Sequence, residues 1–187
     1  MSDDDLARRA RDGDRSAFGA LVQRHQAAAL RLATAVVGST EEARDIVQEA
    51  FVKAYRGIDR YRGDAPVRPW LLRIVANEAK NSGRGSTRRT RREVRHGSLA
   101  VVPPPTPEER AEVSDDVRRV VAALANMRDA DREVLAFRFV AGLSEAETAA
   151  AMATSVGTVK SRTSRALARL RAALAATPGP GVGEAEQ

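Results

Sequence analysis

Cysteine is absent from the 187 residues, which excludes disulfides and thiolate metal sites. His25 and His96 are the only histidines. One falls on an apolar face and the other in a linker, and neither stands in a nucleophile–base motif. No glycine-rich phosphate loop is present, and Asp45 with Glu49 makes a two-carboxylate set too small to define a metal site. An enzyme is therefore disfavoured, and no cofactor or metal is expected. Aromatic residues make up only 4%, so Leu, Val, Ile and Ala must build the cores, which favours helices over sandwiches or barrels. No run approaches the roughly 18–20 apolar residues of a membrane span, and the acidic start "MSDDD" is unlike a secretory signal. The expectation is a cytoplasmic protein that does not engage a membrane.

Positive charge is what the chain has in excess. A net charge of +6 points to a polyanionic partner, nucleic acid before any other. The charge is uneven, with Asp3, Asp4 and Asp5 at the start and arginines crowding the middle and the last helix.

Periodicity divides the chain into two helical blocks. In the first, Phe18, Leu21, Val22, His25, Ala29 and Leu32 share one face behind Asp14, a plausible N-cap. Ser39 and Glu42 form a capping-box pattern ahead of Ala43, Ile46, Val47, Ala50, Phe51, Ala54 and Ile58. Pro66 or Pro69 opens a third helix bearing Trp70, Leu71, Ile74 and Val75, with Trp70 expected in the core. A stretch rich in Gly, Ser, Arg and Pro follows and reads as a flexible linker. The second block begins near Ser114, with Val117, Val120, Val121 and Leu124 on one face and a further helix over Asp131–Val140. The expected class is all-α: a domain over 1–82, a linker over 83–112, a second domain over 113–175 and a disordered tail over 176–187.

The segment "GLSEAETAAAMATSVGTVKSRTSRALARLR" (142–171) reads as two short helices joined by a tight turn. Ser144 with Glu147 is a second capping box, and Ser155 can cap the final helix. Val156, Val159, Thr163, Ala166, Leu167, Leu170 and Leu174 form its buried stripe. Thr158, Lys160, Ser161, Arg162, Ser164 and Arg165 then project outward near the helix start, where recognition helices read bases in the major groove. An amphipathic helix with a solvated basic face would share the charge, but not the turn and the small residues of its partner helix.

On the helix from Ser39 to Ile58, Asp45, Gln48, Glu49 and Val52 lie opposite the apolar face, with both carboxylates turned the same way. Such a patch suits a basic protein partner, because phosphates would be repelled. The strings "DIVQEAFVKAY" (45–55) and "VRPWLLRIVAN" (67–77) resemble region two of bacterial sigma factors of the extracytoplasmic-function (ECF) group, and 142–171 is similar to their region four. The resemblance covers most of the chain, in the right order. It implies that Asp45, Gln48, Glu49 and Val52 face the β′ clamp of core RNA polymerase, and that region four docks on the β flap. Tyr61, Arg62, Asp64 and Arg68 of the loop "YRGDAPVR" would help hold a flipped base. Asn77 and Arg84 would meet the −10 element. Lys160, Ser161, Ser164 and Arg165 would face the −35 element, with Thr158 and Arg162 nearer the phosphates. An anti-sigma protein is a further partner the resemblance implies, as is a free form whose two domains hold together and mask DNA binding.

Two features depart from the family pattern. Gly83 and Gly85 interrupt the stretch after Asn77 and predict an early end to the −10 helix. "ALANMRDADREV" lacks a Leu-Pro, leaving Asp129 to cap the next helix. The arginines at 88, 89, 91, 92 and 95 could flank phosphates or simply be solvated. A linker of about 30 residues could reach on the order of 100 Å, against roughly 70 Å for two turns of DNA. One chain could thus hold two promoter elements, each contact raising the local concentration of the other. The competing reading is a free-standing helix-turn-helix regulator that binds operators without joining the polymerase.

Overall fold

Ser2 and three consecutive aspartates open a helix that apolar periodicity alone passes over. In the computed structural model the Ser2 hydroxyl accepts from the Asp5 amide and the Asp5 carboxylate from the Ser2 amide, starting α1 (Asp3–Arg11). The structure describes residues 1–63, 65–82, 120, 123–124 and 126–176, with the helical backbone of 83–86. Expectations for Asp64, the Arg84 side chain, the arginines at 88–95, Val117, Val121, the tail and all but the first residues of the linker lie outside them.

Asp14 caps α2 (Arg15–Val37) through the Ser16 and Ala17 amides. Hydrogen bonds from Ser16, Ala17 and Arg9 lower its carboxyl to about 2. Gly38, at φ 81°, takes the left-handed conformation that ends this helix. Ser39 caps α3 (Thr40–Arg56), but only half of the expected box forms. Glu42 turns away and accepts from the Ser82 hydroxyl at 2.6 Å, tying the start of α3 to α4. A 3-10 turn (Ile58–Arg60) leads to the loop before α4 (Val67–Ser86). That helix continues through Gly83 and Gly85, which the sequence predicts should stop it. A helical glycine costs about 1 kcal/mol relative to alanine, and the turns before it are anchored by buried Leu71, Leu72, Val75, Ala76 and Ala79.

Helix α5 (Asp129–Leu135) differs at its start from the expected cap. Arg128 takes the cap position without a side-chain bond, while Asp129 is the first helical residue and pairs with Arg132 at 2.7 Å. The helix widens into a π turn (Ala136–Val140), where the Ala141 amide reaches back to Ala136 O at 2.8 Å. Ser144 and Glu147 complete both bonds of the capping box on α6 (Glu145–Ala151). The following turn is a Schellman motif: Thr154 N donates to Ala149 O at 2.9 Å and Ala153 N to Ala150 O at 3.3 Å. Ala153 holds its left-handed position at φ 49°. Ser155 Oγ then accepts from the Thr158 amide at the head of α7 (Val156–Ala176).

The amino-terminal core gathers around α2, with Leu6, Leu21, Leu32, Leu71, Leu72 and Val75 buried among α1–α4. Val134, Leu135, Ala149, Val159 and Ala166 form a second cluster among α5–α7. Of the stripe expected to be buried on α7, Val159 and Ala166 are buried, Thr163, Leu167, Leu170 and Leu174 are half-buried, and Val156 is 40% exposed. The two halves also share a core. Ala136, Phe137, Ala141, Leu143 and Ala151 belong to the amino-terminal cluster, and the π turn lies against α2.

His25 is buried on α2, its Nε2 2.9 Å from Asp3 Oδ2. Burial lowers its pKa below the ordinary 6.5, with the Arg68 and Arg24 charges adding to the effect and Asp3 opposing it. The unfolded chain therefore binds this proton more readily than the native one. The contribution of neutral His25 is complete above pH 6.5 and is lost as pH falls below it. The urea midpoint should drop between pH 7.5 and 5.5, and a His25→Leu variant should flatten that slope. At the turn, a left-handed alanine costs roughly 1–2 kcal/mol, against about 0.5–1 kcal/mol for the freedom lost by glycine. Ala153→Gly should thus raise stability by about 0.5–1 kcal/mol in urea unfolding.

Candidate functional site

Three surfaces collect the residues singled out in the sequence. On α3, Asp45, Gln48, Glu49 and Val52 all reach solvent on one side, with Val52 37% exposed. Glu49 lies 3.6 Å from Lys53 Nζ, which sits 2.5 Å from Glu78 on α4. The hydrogen bond to Glu78 raises the Lys53 pKa and keeps the ammonium charged. Beside this patch runs a groove of about 860 Å3, floored by Phe18, Val22 and Leu30 of α2 and by Val47, Phe51 and Tyr55 of α3. The Phe18 and Tyr55 rings meet across it at 5.1 Å. Gln26, Arg44, Gln48 and Arg56 add polar and basic groups to the same lining. An apolar trough edged by polar groups is suited to the apolar face of a helix. Sequence reasoning assigned Val47 and Phe51 to the core and missed the groove. The available signal was Val52 and Tyr55, apolar residues on the outward side of an otherwise charged face.

The second surface is the loop entering α4. Tyr61 is only 5% exposed, and its hydroxyl lies within donating reach of Asp4 Oδ1 and of Ala65 O. Its ring meets Trp70 at 5.5 Å. These two rings, with Pro66, Pro69, Arg60, Arg62 and Arg73, line a pocket of about 210 Å3. Trp70 is half-buried, packing against the core as expected while one side forms part of that wall. Arg62 is exposed at the mouth, and Asn77 is exposed further along α4.

The third surface is the start of α7. Lys160, Ser161, Ser164 and Arg165 are exposed, while Thr158 and Arg162 are half-buried beside them. Several are engaged locally. Lys160 Nζ lies 3.5 Å from Glu145, the Ser161 hydroxyl donates to Thr158 O at 3.1 Å, and Arg165 Nε donates to Ser161 O at 3.1 Å. These are exposed contacts, worth about 1 kcal/mol or less each and readily exchanged for a ligand. Arg169 pairs with the buried Asp131 carboxylate and fixes α7 on α5, a link that the sequence pattern did not reveal.

Residues 21–90 match Sigma-70 region 2, and residues 118–170 match Sigma-70 region 4. The chain belongs to the sigma-70 family. Within it the chain is an alternative sigma factor of the ECF group. It is 34% identical to RNA polymerase sigma factor NccH of Alcaligenes xylosoxydans xylosoxydans, over 92% of this chain and 94% of that protein. It is 35% identical to the ECF RNA polymerase sigma-E factor of Escherichia coli K12, over 89% of this chain and 91% of that one. Among solved structures it resembles CnrH in complex with the cytosolic domain of CnrY, with a TM-score of 0.73 and 30% identity over 95% of this chain and all of that one. The sigma factor RpoE of Bartonella quintana, in complex with the anti-sigma factor NepR, aligns with a TM-score of 0.62 and 25% identity over 84% and 98%.

Regions two and four of this sigma factor are closed on each other. Arg68 donates to Ala141 O at 2.6 Å and lies 3.9 Å from Glu147, while Lys80 meets Glu133 at 2.8 Å. Gly142, at φ 67°, makes the bend beside Arg68. Ala150 of α6 supplies a wall of the Tyr61–Trp70 pocket. Arg68, singled out for DNA, is therefore occupied by region four in this arrangement. Among the described residues no three His, Cys, Asp or Glu side chains gather as a metal site, and no helix is long and apolar enough to cross a membrane. Reversing Glu133 to Lys should set two cations against each other and raise the radius of gyration measured by solution scattering. Adding Lys80→Glu should restore the compact value.

Proposed function

We propose that the Asp45–Val52 face of α3 and its adjoining groove are the surface on which core RNA polymerase seats. The observation that supports this most directly is the joint exposure of Asp45, Gln48, Glu49 and Val52 on one side of α3, inside the stretch that matches region two. Two exposed carboxylates on the same face as Gln48 and Val52, which line the apolar trough, offer a partner helix both charge and an anchor site. The chain acts by binding and positioning and performs no covalent chemistry of its own. Its work on the polymerase places it in the cytoplasm. An anti-sigma protein, the kind of partner seen with the Bartonella sigma factor, would compete for the same groove.

On DNA, the Tyr61–Trp70 pocket would receive one unstacked base of the −10 element, with Arg62 and Arg68 holding the adjacent phosphates and Asn77 further along the strand. Capturing that base offsets the few kcal/mol of unstacking. Asp64 and Arg84 complete the set that the family resemblance assigns to this element. Helix α7 would read the −35 element through Lys160, Ser161, Ser164 and Arg165, with Thr158 and Arg162 on the backbone. Two elements about two turns apart, roughly 70 Å, cannot both be reached while Arg68 is held by Ala141. Promoter binding on this reading requires regions two and four to separate, over a span that the intervening segment can bridge. The domain limits at 113 and 175 follow the same division, and the first domain extends past 82 with α4 to Ser86.

Co-elution with bacterial core polymerase tests the α3 face. Wild-type protein should bind tightly, and an Asp45→Arg/Glu49→Arg variant should bind at least about tenfold more weakly, a loss of roughly 1.4 kcal/mol. Equal binding by both would remove the assignment. On promoter DNA, Lys160→Ala or Arg165→Ala in the holoenzyme should cost about 1–3 kcal/mol and relax base selectivity within the −35 element. Arg162→Ala should weaken all sequences alike and flatten the salt dependence by about one unit. A uniform loss with Lys160→Ala as well would mean that this face only holds phosphates.

A further inference from the structure

The three aspartates of α1 point to three different tasks. Asp5 closes the capping box with Ser2 and pairs with Arg8. Asp3 holds Arg24 at 2.8 Å and faces His25. Asp4 instead reaches out of its own helix to the loop before α4. Its Oδ1 lies 2.9 Å from the Tyr61 hydroxyl and accepts from the Val67 amide at 3.0 Å.

The two contacts fall at the two ends of the loop, Tyr61 and Val67. Val67 is the first residue of α4, and its amide is one of four with no partner inside the helix. The residue before it is Pro66, which has no side-chain acceptor to cap with. Asp4 fills that role from 63 residues away, and a carboxylate there also meets the positive end of the α4 dipole. Tyr61 has one hydroxyl proton and two acceptors within reach, Asp4 Oδ1 and Ala65 O. One atom of α1 thus fixes the start of α4 and the ring that forms a wall of the 210 Å3 pocket. Leu6 and Ala7, fully buried, anchor the helix that presents it. Helix α1 also precedes residue 21, where the match to region two begins.

We propose that Asp4 is a positioning residue for promoter opening. It touches no base, but holds Tyr61 and the amino end of α4 so that the Tyr61–Trp70 pocket has the shape needed to capture one. This makes α1 part of the melting apparatus, and it rests on the reading that this pocket receives a −10 base.

The test uses full-length protein with core polymerase, on a promoter selected by the wild-type holoenzyme from a randomised library. Opening is followed by 2-aminopurine fluorescence in the −10 element. Asp4→Ala should slow opening about tenfold, the effect of roughly 1.4 kcal/mol on the barrier, with core binding and closed-complex affinity unchanged. Asp4→Asn keeps an acceptor oxygen and should return the rate to within about twofold. That rescue, and the confinement of the defect to the opening step, are not expected of a general loss of stability. Opening at the wild-type rate by Asp4→Ala, while Arg62→Ala is slow, would overturn the proposal and leave the pocket reading standing. A normal rate with Arg62→Ala as well would overturn the pocket reading and the proposal together. Should Asp4→Ala unfold at the assay temperature, Tyr61→Phe takes its place, since it removes only the hydroxyl. Slowing by about threefold or more supports the proposal, and an unchanged rate overturns it.

Discussion

Close burial along α2 is the constraint on which the rest of the molecule depends. Its buried positions are mostly small or aliphatic: Ala17, Leu21, Ala28, Ala29, Leu32 and Ala33. Small side chains allow α1, α3, α4 and the π turn to approach one helix from several directions at once. Helix axes in contact lie about 8–10 Å apart, with the side chains at the contact setting the value. A chain with few aromatics has little bulk to fill wider gaps, so short approaches are how it reaches interior density. Enlarging any of these alanines would displace a partner helix and the surface that helix presents.

The same helices carry the groove. Along the outer side of the α2–α3 pair, Phe18, Phe51 and Tyr55 line an open trough with Ala27 between the larger side chains. Interior packing on one side of the helix pair and an unfilled trough on the other lie along the same stretch of chain. The face that meets solvent and the face that meets the core are therefore not cleanly divided on α3, as Val52 and Tyr55 illustrate.

Much of this was legible in the sequence, because it depends on local chemistry. Asp14, Ser39, Ser144 and Ser155 cap the helices they were expected to cap, since a cap needs only its own side chain and the next few amides. The apolar stripes of α2 and α3 are buried as their period requires, apart from Val22, which lines the groove. The misses involve partners distant in the chain. Glu42 preferred Ser82 to its own helix end, and Asp131 paired with Arg169. Asp4 capped α4 from α1. No period in the sequence encodes such choices. The π turn likewise carries no local signal, and it buries Phe137 in the amino-terminal core against α2.

The closure of region four on region two has a thermodynamic corollary. Arg68, Lys80 and the buried Phe137 stabilise a conformer that cannot span two separated DNA elements. The observed affinity for such a target is then the intrinsic affinity multiplied by the fraction of molecules already open. Each 1.4 kcal/mol of contact between the halves lowers that affinity tenfold. Any two ligands selective for the open conformer, protein or nucleic acid, raise each other's affinity by the same factor. Discrimination against free DNA can thus be set by side chains that touch neither DNA nor polymerase in the bound state.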